Sequence, residues 1–310
     1  MDETLAPPTL HTDEIVPDAL DPKTVNLLYH DFEAERYDDK WSISFDERCI
    51  AYARDRFVSV APEQPYGKVL EIGAGTGFFV INLALAGLVD EPYATDISPK
   101  MVEVCLRNAR AAGIKNMRAR TADAEALPFE DATFDLVVGH AVLHQLSDVP
   151  KAFAEAFRVL RPGGALVIAG EPTRFGFRVV DVAKRSTATL FKTLGGRLGL
   201  VREVDRDPEQ ALEAQIELHE FHPKTIANWA RAAGFEGLKI RTEELASGIF
   251  GWSARTLEAL ARPGLLPSGW PWFAYRNYLI LRRFDELVLR RVVPKEFFYN
   301  LLMYAKKPDA

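Results

Sequence analysis

The sequence predicts an α/β fold, a doubly wound parallel sheet with helices on both faces. Three observations predict it. Lys68 to Phe79, K-V-L-E-I-G-A-G-T-G-F-F, reads as a short apolar strand stopped by glycine and followed by a helix. Strand-like and helix-like segments then alternate from Tyr93 to Pro172. The strands also end on polar residues (Asp96, Asp123, His140, Glu171), as expected where strand ends converge on a crevice.

Taken in order, residues 1–23 are acidic, proline-rich and without periodicity, the pattern of a mobile tail. From Thr24 to Val60 apolar residues recur at helical spacing, with breaks expected at Asp38-Asp39 and Ser42. The first strand, Val69 to Ile72, enters the loop Gly73-x-Gly75-x-Gly77, where a ligand can approach the backbone closely, and Phe78 to Leu85 continues as a helix with free N–H groups at its start. A second strand, Tyr93 to Thr95, ends at Asp96, a little over 20 residues past the glycines, where a carboxylate can accept from both hydroxyls of a ribose. Ser98 and Pro99 open the next helix. Arg118 to Thr121 is a weaker third strand, Phe134 to Val138 the fourth, and Ala165 to Ala169 the fifth, after a helix from Val149 to Leu160 and the turn Arg161-Pro162-Gly163-Gly164. Right-handed crossovers order these strands into one sheet. A sixth strand is expected at Leu238 to Thr242, after a helix opened by Pro223, and a last one at Phe297 to Lys306.

The 310 residues suit one large domain with a cap, and 48% hydrophobic residues suffice for a sizeable core. Two cysteines, Cys49 and Cys105, make neither a disulfide framework nor a thiolate metal site, and His219-x-x-His222 lacks further ligands, so no metal is expected. No signal-peptide pattern or long apolar run is present, which suggests a cytoplasmic protein. A net charge of −6 argues against nucleic acid as the main partner.

The glycine pattern departs from the dinucleotide fingerprint G-x-G-x-x-G, because Phe78 stands where the third glycine belongs. Glu71, Gly73, Gly75 and Gly77 instead spell E-x-G-x-G-x-G, which resembles the first motif of class I S-adenosylmethionine-dependent methyltransferases. The ordered set A-D-A-E-A-L-P-F, F-D-L-V-V, L-H-Q-L-S-D, R-V-L-R-P-G-G and G-E-P extends that resemblance over Gly67 to Pro172, toward ubiquinone and menaquinone biosynthesis methyltransferases and related small-molecule enzymes. The resemblance implies a Rossmann-like seven-stranded sheet of order 3-2-1-4-5-7-6 with the last strand antiparallel, a core over 24–172 and 223–310, and S-adenosyl-L-methionine as cofactor. It places Ile97 and Met101 beside the adenine, with core packing as the other reading of Met101. It assigns Asp123 and the Ala124 backbone to the adenine edge. N-terminal helices cover the cofactor in this family, so Tyr29, Tyr37 and Trp41 either line the site or anchor those helices on the core.

Methyl transfer to a hydroxyl also requires removal of its proton. His140, just past the fourth strand, is a candidate base or cofactor contact, or a loop hydrogen-bonder. His144 fits a structural role better, His219 and His222 are further candidate bases, and His222 also suits a helix cap. Glu171 ends the fifth strand at the crevice. Two insertions, 173–222 and 248–296, are expected to form a lid. Both are rich in arginine and in apolar residues at helical spacing; Arg276, Arg283 and Arg290 recur opposite Leu281, Phe284 and Val288. Such helices either bury an apolar face against the sheet or lie on an anionic membrane, at the inner face in a cytoplasmic protein. In both cases the lid suits a lipophilic or aromatic small-molecule acceptor, methylated at oxygen or carbon. The fourth strand ends on neither Asn/Asp-Pro-Pro-Tyr nor Pro-Cys, which argues further against nucleic acid. The competing expectations are a non-catalytic cofactor-binding or membrane-docked module and an NAD-dependent oxidoreductase.

Overall fold

The computed structural model describes residues 21–202 and 219–309. Most of the expected tail and the stretch 203–218 of the first insertion lie outside them, but Asp21 to Lys23 belong to the first helix. Asp21 caps α1 (Pro22–Glu33) by accepting from the N–H groups of Lys23 and Thr24. The short α2 (Tyr37–Trp41) ends where Ser42 adopts left-handed φ (54°), and Asp46 caps α3 (Glu47–Val60). Ser42 is therefore a break as expected. Asp38-Asp39 is not; it occupies the first turn of α2, where acidic residues favour the positive end of the helix dipole.

The seven strands are β1 (Tyr66–Ile72), β2 (Val89–Asp96), β3 (Arg118–Thr121), β4 (Phe134–His140), β5 (Leu160–Pro172), β6 (Glu236–Glu243) and β7 (Asn300–Lys306). They stand in the order β3-β2-β1-β4-β5-β7-β6, with β7 antiparallel to both neighbours, in registers such as Val167 with Tyr304 and Ile240 with Met303. Strand alternation sorts the core into two layers. Val69, Val138, Val167 and Leu302 face α3 and α4 (Phe78–Leu85), through Phe57, Phe79 and Leu83. Leu70, Val137, Leu166 and Met303 face α6 (Val149–Val159) and α8 (Pro223–Ala232), through Phe153 and Ile226. On the opposite edge, α5 (Pro99–Ala111) connects β2 to β3, its first turn capped by Ser98.

Two boundaries differ from expectation. The turn at Gly163-Gly164 is drawn into β5 because the chain end pairs with it: Gly163 N–H donates to the Lys307 carbonyl, and Lys307 N–H to the Gly164 carbonyl. β7 starts at Asn300 because Lys295–Phe297 forms a 3-10 turn that stacks Phe297 on Phe175.

The insertions supply three long helices: α7 (Arg174–Arg197), α9 (Ala246–Leu260) and α10 (Trp270–Phe284), the last running on through a π-helical turn to Leu289. α9 packs against both of the others. Buried Asp285 accepts from the N–H groups of Leu245, Ala246 and Ser247, and so caps α9 from the end of α10. Gly176 is required where α7 crosses the backbone at Phe298, since a Cβ there would lie 2.5 Å from its carbonyl oxygen. Phe284 and Val288 are exposed, so the apolar side of the arginine repeat is not buried against the sheet. Among the described residues no helix is long and apolar enough to cross a membrane.

Candidate active site

The carboxyl ends of β1, β2 and β4, the N-terminal helices and both insertions enclose one cavity of about 930 Å³. Its first half is built by the loops after β1, β2 and β3. Gly73 and Gly75 take positive φ (56° and 52°) and line it, and a Cβ on Gly73 would fall 2.1 Å from Val142 Cγ2. Gly75 N–H donates to Asp96 Oδ2 (2.7 Å) and Ser98 N–H to Oδ1 (2.9 Å), so the carboxylate is fixed with lone pairs left toward the cavity. Burial pushes Asp96 above the usual carboxylate range, while His30 and these two N–H groups pull it back. Glu71 accepts from Val80 N–H (2.9 Å), and burial pushes it up to about 8, a state that an approaching cation reverses. Ile97, Ala124 and Asp123 line the same half. Asp123 is held by Lys23 (2.7 Å), which also bridges to Glu125 (2.6 Å). Tyr29, Tyr37 and Trp41 line the cavity as well, so the N-terminal helices do cover it.

Two of the expected residues do not reach the cavity from this side. Met101 packs with Ala34, Val104 and Tyr37, which is the core reading of its position. Gly77 serves packing rather than ligand approach: with φ at 88°, a Cβ there would meet Ile81 Cδ1 at 2.6 Å and Cys105 Sγ at 2.8 Å.

The second half is aromatic. Phe78, Tyr52, Phe177, Trp252, Tyr275, Tyr278 and Tyr299 line it, and His140, at the end of β4, lines the cavity with them. The imidazole lies among Phe78, Phe79 and Tyr52, with ring centroids 5.2, 5.2 and 5.9 Å away, and Tyr52 Oη is 3.4 Å from Nε2. Burial, and then the nearby Arg56 charge, pulls His140 down to about 4, so the ring is neutral at physiological pH.

The other expected histidines and Glu171 divide differently. Glu171 is fully buried and accepts from the N–H groups of Val142 and Leu143 (2.9 Å each), and from His144 through its N–H (3.1 Å) and Nδ1 (2.9 Å). It ties down the loop after β4 and is not a cavity residue; His144 lines the cavity but is held by this bond. His219 lines the cavity while its N–H donates to the His144 carbonyl (2.8 Å). His222 caps α8, accepting from Lys224 N–H at 3.2 Å, and stays outside the cavity.

A buried charge cluster escaped the sequence reading. Arg56 is paired with Glu244, lies 2.8 Å from Glu243 Oε1, and sits 3.4 Å over the Tyr52 ring. Glu244 also accepts from Tyr278 Oη and from Asn300 Nδ2 (2.7 Å), and it borders the aromatic half. The sequence signal is an arginine on the core-facing stripe Ala53, Arg56, Phe57, Val60 of α3, matched by two acids at the end of β6.

A β3-β2-β1-β4-β5-β7-β6 sheet with glycines and an acidic residue at adjacent strand ends defines the Rossmann-like class of methyltransferases. Residues 70–168 match the methyltransferase-domain family model. The chain is 31% identical over 200 residues to a demethylmenaquinone methyltransferase of Thermus thermophilus, covering 63% of this chain and 85% of that protein. It is 32% identical over 192 residues to a ubiquinone/menaquinone biosynthesis C-methyltransferase of Idiomarina loihiensis, covering 59% of this chain and 70% of that one. A solved phosphoethanolamine N-methyltransferase of Haemonchus contortus, at 14% identity, shares the fold with a TM-score of 0.58 over 95% of this chain and 62% of that chain. The chain belongs to the class I S-adenosylmethionine-dependent methyltransferases, and within them it resembles the ubiquinone and menaquinone methyltransferases.

Proposed function

We propose that this enzyme methylates a small lipophilic or aromatic acceptor, at oxygen or carbon, inside the aromatic half of the cavity. The observation that carries this reading is that a single cavity is lined both by these aromatic side chains and by the strand-end residues Gly73, Gly75 and Asp96, with His140 among them. The quinone-linked names of its relatives point the same way.

The donor set fits the cofactor. Asp96, with free lone pairs on a fixed carboxylate, would take the ribose hydroxyls, Ile97 and Ala124 the adenine faces, and Asp123 its edge. Gly73, Gly75 and Glu71 would hold the amino-acid end, where Glu71 complements positive charge. The bound sulfonium supplies an activated methyl group, so the protein's work is alignment and exclusion of water. Tyr29, Tyr37 and Trp41 would close the cofactor half against solvent, while the helices of the two insertions close the acceptor half. Neutral at working pH, His140 suits accepting the hydrogen bond of an acceptor hydroxyl and taking its proton as that oxygen is methylated, and its lowered proton affinity favours releasing the proton to solvent afterwards. His219 lines the same cavity, and its N–H is engaged with the His144 carbonyl.

His140→Asn is expected to lower kcat about 100-fold on hydroxyl acceptors, the lower end of acid–base contributions, and to leave S-adenosylhomocysteine affinity within about twofold. His140 must be neutral to accept. Its folded pKa of about 4 therefore puts the acid limb of kcat/KM in the wild type near pH 4 rather than near 6.5. An acid limb near 6.5, unchanged in the variant, would remove His140 from the reaction.

The test of the function itself is label transfer from methyl-labelled cofactor to phenols and hydroquinones with short and long alkyl tails, against hydrophilic amines. Turnover rising with tail length supports the reading, and mass spectrometry of the product separates oxygen from carbon methylation. Turnover only on the amines, or tight cofactor binding without turnover on any acceptor, would favour another acceptor class or the non-catalytic module.

A further inference from the structure

Among the described residues, every exposed large apolar side chain except Phe32 lies between Phe175 and Phe297, in or next to the two insertions. The densest group is on α10 and its continuation. Trp272 is 70% exposed, Ile280 61% and Val292 73%, and Phe273, Phe284, Leu287 and Val288 are exposed with them. Trp272, Phe273, Arg276, Asn277 and Ile280 line a recess on this outward surface. The opposite side of the same helix carries Pro271, Ala274, Tyr275, Tyr278 and Arg282, and these line the acceptor half of the cavity. The helix is thus a wall one helix thick, with an aromatic chamber on one side and an apolar surface on the other.

The charges on the outward side are mostly positive, with Glu286 the one exposed acid between Trp270 and Val292. Arg276, Arg283, Arg290 and Arg291 are exposed there. Arg290 pairs with Glu286, which also takes Arg241 (2.6 Å), and Asp285 is buried as the cap of α9. No carboxylate of the described residues lies within ion-pair distance of Arg276, Arg283 or Arg291. In a chain of net charge −6, this is a local reversal of sign. Trp, Phe and Ile flanked by unpaired arginines on one face of a helix are the composition of an element that lies in the headgroup layer of an anionic bilayer, apolar tips inserted and guanidinium groups at the phosphates.

We propose that the outward face of Trp270 to Val292 docks on an anionic lipid surface. The inner face of the same helix then opens to a lipophilic acceptor drawn from that surface. The proposal rests on the lipophilic-acceptor reading above and names the partner that delivers the acceptor.

The test is co-sedimentation of the full chain with phosphatidylcholine vesicles and with vesicles containing 30% phosphatidylglycerol, at low and high salt. Three proteins are compared: the wild type, Trp272→Ser/Phe273→Ser/Ile280→Ser, and Arg276→Gln/Arg283→Gln/Arg291→Gln. All six positions are exposed and outside the cavity, so the thermal shift given by S-adenosylhomocysteine should be equal in the three. The wild type is expected to partition onto the phosphatidylglycerol vesicles and to lose that binding at high salt, with each triple variant about tenfold or more weaker. Wild type remaining in the supernatant would overturn the proposal. So would equal binding by all three proteins, or a dimer seen by light scattering that both variants dissolve, which would make the face a self-association surface. Loss of methyl transfer without loss of vesicle binding would count against the acceptor reading and not against docking.

Discussion

Asp96→Ala is expected to weaken S-adenosylhomocysteine binding by about 3 kcal/mol, on the order of 100-fold in Kd or more, since hydrogen bonds to a charged acceptor are worth roughly 1.5–3 kcal/mol each. Two effects add. The ribose would lose both acceptors, and the glycine loop would lose its tie, because Asp96 Oδ2 receives the Gly75 N–H. Asp96→Asn separates them: the remaining amide oxygen can hold one N–H group but cannot replace paired acceptors. Its Kd should fall between wild type and alanine. Isothermal titration at one ionic strength measures all three, and far-UV circular dichroism checks that the fold persists. An alanine variant that binds within twofold of wild type would remove Asp96 from the site.

The second large effect is on stability. Arg56→Ala should cost about 3–5 kcal/mol of unfolding free energy, the usual range when one partner of a buried ion pair is removed. The guanidinium is almost fully buried, and its loss strands Glu243 and Glu244 without a counter-charge beside the Tyr52 ring. The triple change Arg56→Met/Glu243→Gln/Glu244→Gln should recover much of that cost, because a buried ion pair replaced by neutral groups of similar volume is often near neutral. Urea unfolding followed by tryptophan fluorescence reads both. If Arg56→Ala were as stable as wild type, the cluster would contribute nothing net to the fold. The triple variant also removes the Glu244 carboxylate from the edge of the aromatic half of the cavity, so its activity reports whether that charge serves chemistry as well as packing.

Legibility in the sequence followed the range over which each feature is encoded. The sheet was readable because its strands are short apolar runs closed by glycine or an acid, as in Val69 to Gly73 and Tyr93 to Asp96, and its order followed from the family resemblance carried by the motifs. The residues lining the strand-end half of the cavity were readable because they cluster within loops of a few residues each. Met101, Gly77, Glu171 and His222 lie outside the cavity. Each sits beside the crevice in sequence, but its side chain, or for Gly77 its missing one, answers a local need: packing under α1, contact with Ile81 and Cys105, the loop after β4, and a helix cap. The charge cluster was missed because Arg56 and Glu244 are 188 residues apart, and only the folded chain brings α3, β6 and α10 together. The exposed apolar face of α10 was ambiguous because a helical stripe looks the same whether protein or lipid covers it.

The measurement that tests the central claim most directly is thermal unfolding of the unmodified protein with S-adenosylhomocysteine, with NAD, and without ligand. A ligand at about 100 times its Kd adds roughly 2.7 kcal/mol to apparent stability, which for a chain of this size corresponds to a rise in Tm of about 5 °C. A rise with S-adenosylhomocysteine and none with NAD is the predicted result. A rise with NAD alone, or none with either while the protein unfolds cooperatively, would contradict the assignment of the strand-end cavity to a methyl-donor cofactor.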